Sequence, residues 1–260
     1  MSDETPDVRY EVADGIATIT LDRPEKGNMF RERTLRELAD ALRRFRGERE
    51  AGVAILTGTG DRFFCIGGEH DPLEYRDAAS ALPVVDVYEL IDTTPKPIVA
   101  AVNGFAVGGG HVLQVMCDLA IASENAVFRQ VGPMVGSFDA GYGTWYLEEL
   151  IGRRRAKEMW YLNRKYSAAE ALAMGLVNEV VPADQLQARA REVAGELLRR
   201  GPRALAGLKA AFSGRHHGVL GQARMAHDQL LTEYLSSDEA HELSEAFAQR
   251  REPDRSRFLR

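Results

Sequence analysis

The chain predicts an α/β fold. β-branched, strand-like runs alternate with segments of helical apolar spacing through the first half. From about residue 141 the pattern turns helical, apart from a short strand-like run at 177–181. Hydrophobic residues make up 45% of the 260. That suits one large domain, or one domain with a helical appendage, around a substantial core.

In chain order, Tyr10 to Ala13 and Ile16 to Leu21 are β-branched-rich runs parted by Asp14-Gly15, a hairpin signal. Leu35, Leu38, Leu42 and Phe45 recur at helical spacing across 34–46. Val53 to Leu56 reads as a buried strand, and 58–78 as a Gly- and Asp-rich loop before a helix around 84–91. Pro97 to Val102 is a strand. A glycine turn, a helix over 109–116 and short strands at 119–122 and 126–128 follow. Gly201-Pro202 separates two of the late helices.

Composition excludes several classes. A net charge of -6 gives no electrostatic footprint for nucleic acid. The Arg-rich pieces at 43–49 and 153–155 read as solvated helix faces. Cys65 and Cys117 sit in apolar surroundings, which predicts free thiols and a reduced, cytoplasmic setting. The segment 1–6 is polar and acidic, unlike a signal peptide, and no apolar run is long enough to span a bilayer. His70 and His111 lack further ligands at metal spacing, so no metal site is expected. His111 is expected to pack behind the glycine turn, while His70 is a candidate pocket acid/base.

The segment from Gly132 to Gly143 places one carboxylate and one hydroxyl among four glycines. Glycines allow close approaches that a Cβ would block. In an extended or turning backbone, residues two apart face the same side, which pairs Ser137 with Asp139. Asp139 there suits removal of a proton α to a carbonyl, or protonation of an alkoxide, with Ser137 holding a substrate oxygen. Asp139 equally suits a cap on the helix expected over 142–150. Upstream, Gly109 opens a helix, whose first amides have no partner within it. Gly68 follows a strand and an aromatic pair. Taken alone, Gly68 and Gly109 are tight turns packing strand against helix.

Several segments carry a resemblance: Arg62-Phe63-Phe64-Cys65-Ile66-Gly67-Gly68, Pro95 to Gly104, Gly108-Gly109-Gly110, Cys117-Asp118 and Ala173 to Asn178. With them the chain resembles the crotonase (enoyl-CoA hydratase/isomerase) superfamily along almost its whole length. Val135 to Gly143 is similar to the branch of 1,4-dihydroxy-2-naphthoyl-CoA synthases and 2-ketocyclohexanecarboxyl-CoA hydrolases. The resemblance implies a spiral of ββα units over 1–200 and a helical region over 201–260 that mediates trimer or hexamer contacts. It implies an acyl-CoA substrate and no tightly bound cofactor. It assigns the Gly68 and Gly109 amides to a thioester oxygen, where two converging donors stabilise an enolate.

Hydratases of this superfamily carry two glutamates where this chain has Val112 and Gly132, so hydration is not expected. Some members of the naphthoyl-CoA branch have glycine at the second position and hold bicarbonate as base with a glutamine and a tryptophan. Gln130, Gly132 and Trp160 match that pattern; the plainer alternative puts Gln130 on a strand surface and Trp160 in the core. The resemblance also places Tyr234 at a neighbouring subunit's site, and Arg23, with Lys26 nearby, beside the CoA phosphates. Tyr234 otherwise reads as a helix-face aromatic, and Arg23 and Lys26 as surface charges.

The chain departs from that branch in its loop 70–79, shorter and acidic, with Tyr75 its only tyrosine, and in Trp145, which replaces a small residue. His70, Tyr75 and Trp145 are thus candidate pocket residues. The expected activity is Dieckmann-type ring closure through an enolate. Its reverse, hydrolytic ring cleavage, and a non-catalytic acyl-CoA-binding subunit are the alternatives.

Overall fold

A computed structural model of the chain describes residues 5–69, 83–139, 141–225 and 232–254. The hairpin forms as expected: β1 (Val8–Ala13) and β2 (Ile16–Leu21) pair antiparallel, with positive φ at Asp14 and Gly15. Helix α1 (Glu32–Gly47) leads to β3 (Val53–Gly58) and the three-residue β4 (Phe63–Cys65). Helix α2 (Pro83–Thr93), β5 (Ile98–Val102), β6 (Phe105–Val107) and α3 (Gly109–Val115) follow. Then come β7 (Leu119–Ser123), β8 (Val127–Arg129) and the single turn α4 (Gly132–Val135).

A π-helical turn over Tyr142–Tyr146 runs into α5 (Leu147–Ile151) and α6 (Arg153–Leu162). After β9 (Tyr166–Ser167), α7 (Ala168–Met174) and β10 (Glu179–Val181), the rest is helical. These helices are α8 (Leu186–Leu198), α9 (Pro202–Met225), α10 (Thr232–Leu235) and α11 (Asp238–Ala248).

The strands form two sheets, in the orders β1-β2-β3-β5-β7-β10 and β4-β6-β8-β9. The first is parallel except for the hairpin, the second except for β9. Side chains alternate across a strand. Ala54, Leu56, Ala100 and Val102 therefore face the main core, and Val53, Ile55, Val99 and Ala101 face a second cluster closed by Leu186, Ala190 and Ala194 of α8. The sequence patterning placed β4 within a loop and did not resolve β6 and β9, strands of three and two residues. Helix α9 is pinned by two buried polar residues. Lys209 Nζ donates to Asp118 Oδ2 (2.7 Å), Ile91 O (2.9 Å) and Lys96 O (3.3 Å), and Ser213 Oγ donates to Asp92 Oδ1 (3.0 Å).

Candidate active site

Gly68 sits in an isolated parallel bridge with Phe30. The bridge uses its neighbours: Phe30 N donates to Gly67 O (3.0 Å) and Glu69 N to Phe30 O (2.8 Å). Among the described residues, no backbone carbonyl takes the Gly68 N–H, nor that of Gly109 at the first position of α3. The two segments touch. A Cβ built on Gly67 would lie 3.3 Å from Gly109 N. The glycine turn is equally tight behind, since a Cβ on Gly110 would lie 2.0 Å from Cys65 O. On Gly109 it would lie 2.5 Å from Phe30 Cζ, and Tyr88 Oη comes within 3.4 Å of Gly109 O. The Gly67–Gly68 and Gly108–Gly109 segments thus lie against each other, with no main-chain partner for the Gly68 and Gly109 amides among the described residues.

The carboxylate comes from a different segment. Asp139 is buried and its Oδ1 accepts from Gly143 N at 2.7 Å. The capping role is therefore real, and it fixes one carboxylate oxygen. A Cβ built on Gly143 would lie 2.7 Å from Val112 Cγ2 and 3.1 Å from Asp139 Cγ. The aspartate thus stands beside Val112, one turn into the helix that Gly109 opens. Ser137 is half-buried, its amide donating to Gly132 O at 2.9 Å. Tyr234 stands against its own chain: its ring is 5.2 Å from that of Phe138, between Ser137 and Asp139. Burial first, and then Glu239, whose Oε1 is 3.3 Å from the phenol, push Tyr234 up to about 12, so it is a donor at neutral pH. Helix α11 presses on the same segment, since a Cβ on Gly136 would lie 2.4 Å from Ala240 O.

Gln130, Gly132 and Trp160 each make contacts within the chain. A Cβ on Gly132 would lie 2.5 Å from Ser137 O and 2.9 Å from Phe138 Cα, so the chain itself fills that space. Gln130, fully buried rather than on a strand surface, has its Nε2 3.0 Å from His111 Nδ1. Trp160 Nε1 donates to Gly143 O at 3.0 Å. The Trp160 N–H is thus engaged inside the chain, and Gln130 Nε2 has one contact there. His111 is fully buried behind the glycine turn, and burial pushes it down to about 3, so it is a neutral packing residue.

Arg23 is not a surface charge. It is buried, with Nη1 donating to Met29 O (2.8 Å), Nη2 to Glu69 Oε2 (3.1 Å) and Nε lying 3.7 Å from Asp7 Oδ2. The partners lie at 7 and 69, too far away in sequence for local spacing to reveal them. Lys26 is exposed at the end of a short 3₁₀ turn. Trp145 is half-buried against the main core. His70 and Tyr75 lie outside the described residues.

The sequence also left Glu89 and Tyr142 unremarked. Tyr142 is fully buried, donates to Glu89 Oε1 at 2.9 Å and packs its ring 5.5 Å from that of Tyr88. This joins α2 to the turn that Asp139 caps. A tyrosine inside a glycine run was the available signal.

Residues 11–256 match the family model described as enoyl-CoA hydratase/isomerase. Similar solved structures include an enoyl-CoA hydratase from Mycobacterium avium subsp. paratuberculosis K-10, at 30% identity and a TM-score of 0.85 over 95% of this chain and 98% of that one. A monofunctional enoyl-CoA isomerase from M. smegmatis is 30% identical at a TM-score of 0.72, over 85% of this chain and 99% of that one. A carnitinyl-CoA hydratase from Mycobacterium avium is 27% identical at a TM-score of 0.83, over 96% of this chain and 98% of that one.

Proposed function

The chain belongs to the enoyl-CoA hydratase/isomerase family, a crotonase-fold family of acyl-CoA-processing enzymes, and from that premise we propose that it forms a C–C bond by ring closure through a thioester enolate. The observation that carries this is the pair of unspent amides at Gly68 and Gly109, with the Asp139 carboxylate beside Val112. Asp139 takes the α proton, and the C–H electron pair moves into the enolate, whose oxygen the two amides hold. The enolate carbon attacks a carboxyl carbon at the far end of the same acyl chain, giving a tetrahedral centre that bears an alkoxide and a hydroxyl. Asp139 returns its proton to that hydroxyl, the C–O bond breaks to release water, and the alkoxide collapses to the ring ketone.

Hydration is not part of the proposal, although relatives bear that name. Val112 and Gly132 offer no group that moves a proton to or from water, and the space at Gly132 is filled. Isomerisation is the second reading. One carboxylate over an enolate suffices to carry a proton along an enoyl chain, and the M. smegmatis relative is named for that reaction. A panel of acyl-CoA thioesters followed by mass spectrometry separates the outcomes. Ring closure shows loss of water from a substrate with two carbonyls, isomerisation shows no mass change, and ring cleavage shows gain of water by a cyclic substrate. Gain of water by a linear 2-enoyl-CoA would overturn the proposal.

We also propose that the chain acts as a homo-trimer or a pair of trimers. Leu208 and Phe212 on α9 are 57% and 72% exposed, one turn apart. Light scattering at micromolar concentration checks it; a monomeric mass would overturn it.

A further inference from the structure

Arg23 spans the two bridged segments that frame the first amide. One arm of its guanidinium holds Met29 O, just before Phe30, and the other holds Glu69 Oε2, just after Gly68. Phe30 and Gly68 are the bridged pair between them. The base of Arg23 is fixed too, because its amide donates to Asn28 Oδ1 at 3.0 Å and Asn28 Nδ2 donates to Phe63 O at 2.7 Å. Its side chain is 9% exposed and that of Glu69 35%. The ion pair thus closes a rigid frame from inside the protein. Phe30, caught in the same frame, reaches the second amide, its Cζ lying against Gly109.

We infer that the Arg23–Glu69 pair is a positioning device for the Gly68 amide and takes no part in holding CoA, an inference that rests on the enolate function proposed above. A planar fork can hold a carbonyl and a carboxylate at once, which an ammonium on a flexible stem does far less well. Releasing Glu69 leaves Gly68 attached to Phe30 by the bridge alone. Its N–H then wanders from the direction the oxyanion requires. Removing an oxyanion donor outright costs about 10²–10³ in rate, so a loosened donor is expected to cost about tenfold.

The test uses acetoacetyl-CoA, an enolisable β-keto thioester whose bound enolate is read from its near-ultraviolet band. Binding of CoA alone is measured by calorimetry, and the fold is checked by circular dichroism. The wild-type protein is expected to raise the enolate fraction over that in buffer. Glu69→Ala and Arg23→Lys are each expected to lower that fraction about tenfold at fixed pH, with CoA affinity unchanged. Wild-type enolate levels in folded Glu69→Ala protein would overturn the positioning role, and that variant decides the matter if Arg23→Lys fails to fold. Weaker CoA binding by Arg23→Lys with enolate unchanged would return Arg23 to the CoA phosphates. A wild-type protein that stabilises no enolate would overturn the proposed function and the positioning role together.

Discussion

Gly68 and Gly109 stand where two short segments of main chain meet, whereas Asp139 stands where a glycine turn meets the returning helices α10 and α11. Around the amides, the contacts are strand pairing, a phenylalanine ring and carbonyls that leave no room for a methyl group. Around Asp139, they include the capping bond from Gly143 N, the Phe138–Tyr234 ring contact and the pressure of α11 on Gly136. The first region is built to hold a direction in space. The second holds a charge, and its surroundings can be exchanged without rebuilding a sheet. Asp139 stands beside Val112 but comes from another stretch of chain.

The sharpest test of that contrast is Asp139→Asn. The amide still accepts from Gly143 N, so circular dichroism and melting are expected to change little. Turnover is expected to fall about 10²–10⁴-fold, because the proton carrier is gone. Comparable turnover in the variant would reduce Asp139 to a cap. On the other side, Gly110→Ala drives a methyl group into Cys65 O and is expected to destabilise the fold by roughly 1–3 kcal/mol or more, measured by urea unfolding. An unchanged midpoint would mean that the amide region is less rigid than its contacts indicate.

The amide region also has an ionic footing. Burial alone would raise Asp7, but hydrogen bonds from Arg31 and Thr34 and the charges of Arg31 and Arg23 hold it below its usual 3.8. A depressed carboxyl stabilises the fold above its unfolded pKa, and that contribution is lost as pH falls through the folded value. Each unit of depression is worth about 1.4 kcal/mol. Melting temperature is therefore expected to drop from pH 5 towards pH 2, and to drop less steeply in Asp7→Asn. Parallel slopes would remove Asp7 from the acid limb. The smallest expected effect concerns bicarbonate. With Gln130 paired to His111 and Trp160 to Gly143 O, depletion and readdition are expected to leave turnover unchanged. Recovery on readdition would show that the acid region opens to admit an anion.

The same contrast governs what the sequence revealed. The hairpin, α1, α2, β5 and α3 were legible because each carries its own period or turn signal, and His111 was rightly placed behind the glycine turn. Gly132 misled because the absence of a side chain was taken as room. A turn closed by Ser137 N on Gly132 O folds the chain into that room, and no local pattern announces it. Arg23 misled for a similar reason, since its charge is satisfied by residues brought in from other elements. Tyr234 also lies against Phe138 of its own chain, a contact between distant segments that no local pattern announced. The helical course after residue 141 was visible; the return of α10 and α11 to the Asp139 segment was not.

Lys209 links these regions in a way that bears on how the molecule comes apart. Its ammonium lies in the protein with its donors on Ile91 O, Lys96 O and Asp118, and α2, which ends at that spot, also carries Tyr88 against Gly109. Peeling α9 away would strand a carboxylate and two carbonyls at once, a far larger penalty than fraying an ordinary terminal helix. Helix α9 around Lys209 should therefore exchange its amide hydrogens at the pace of the parallel sheet.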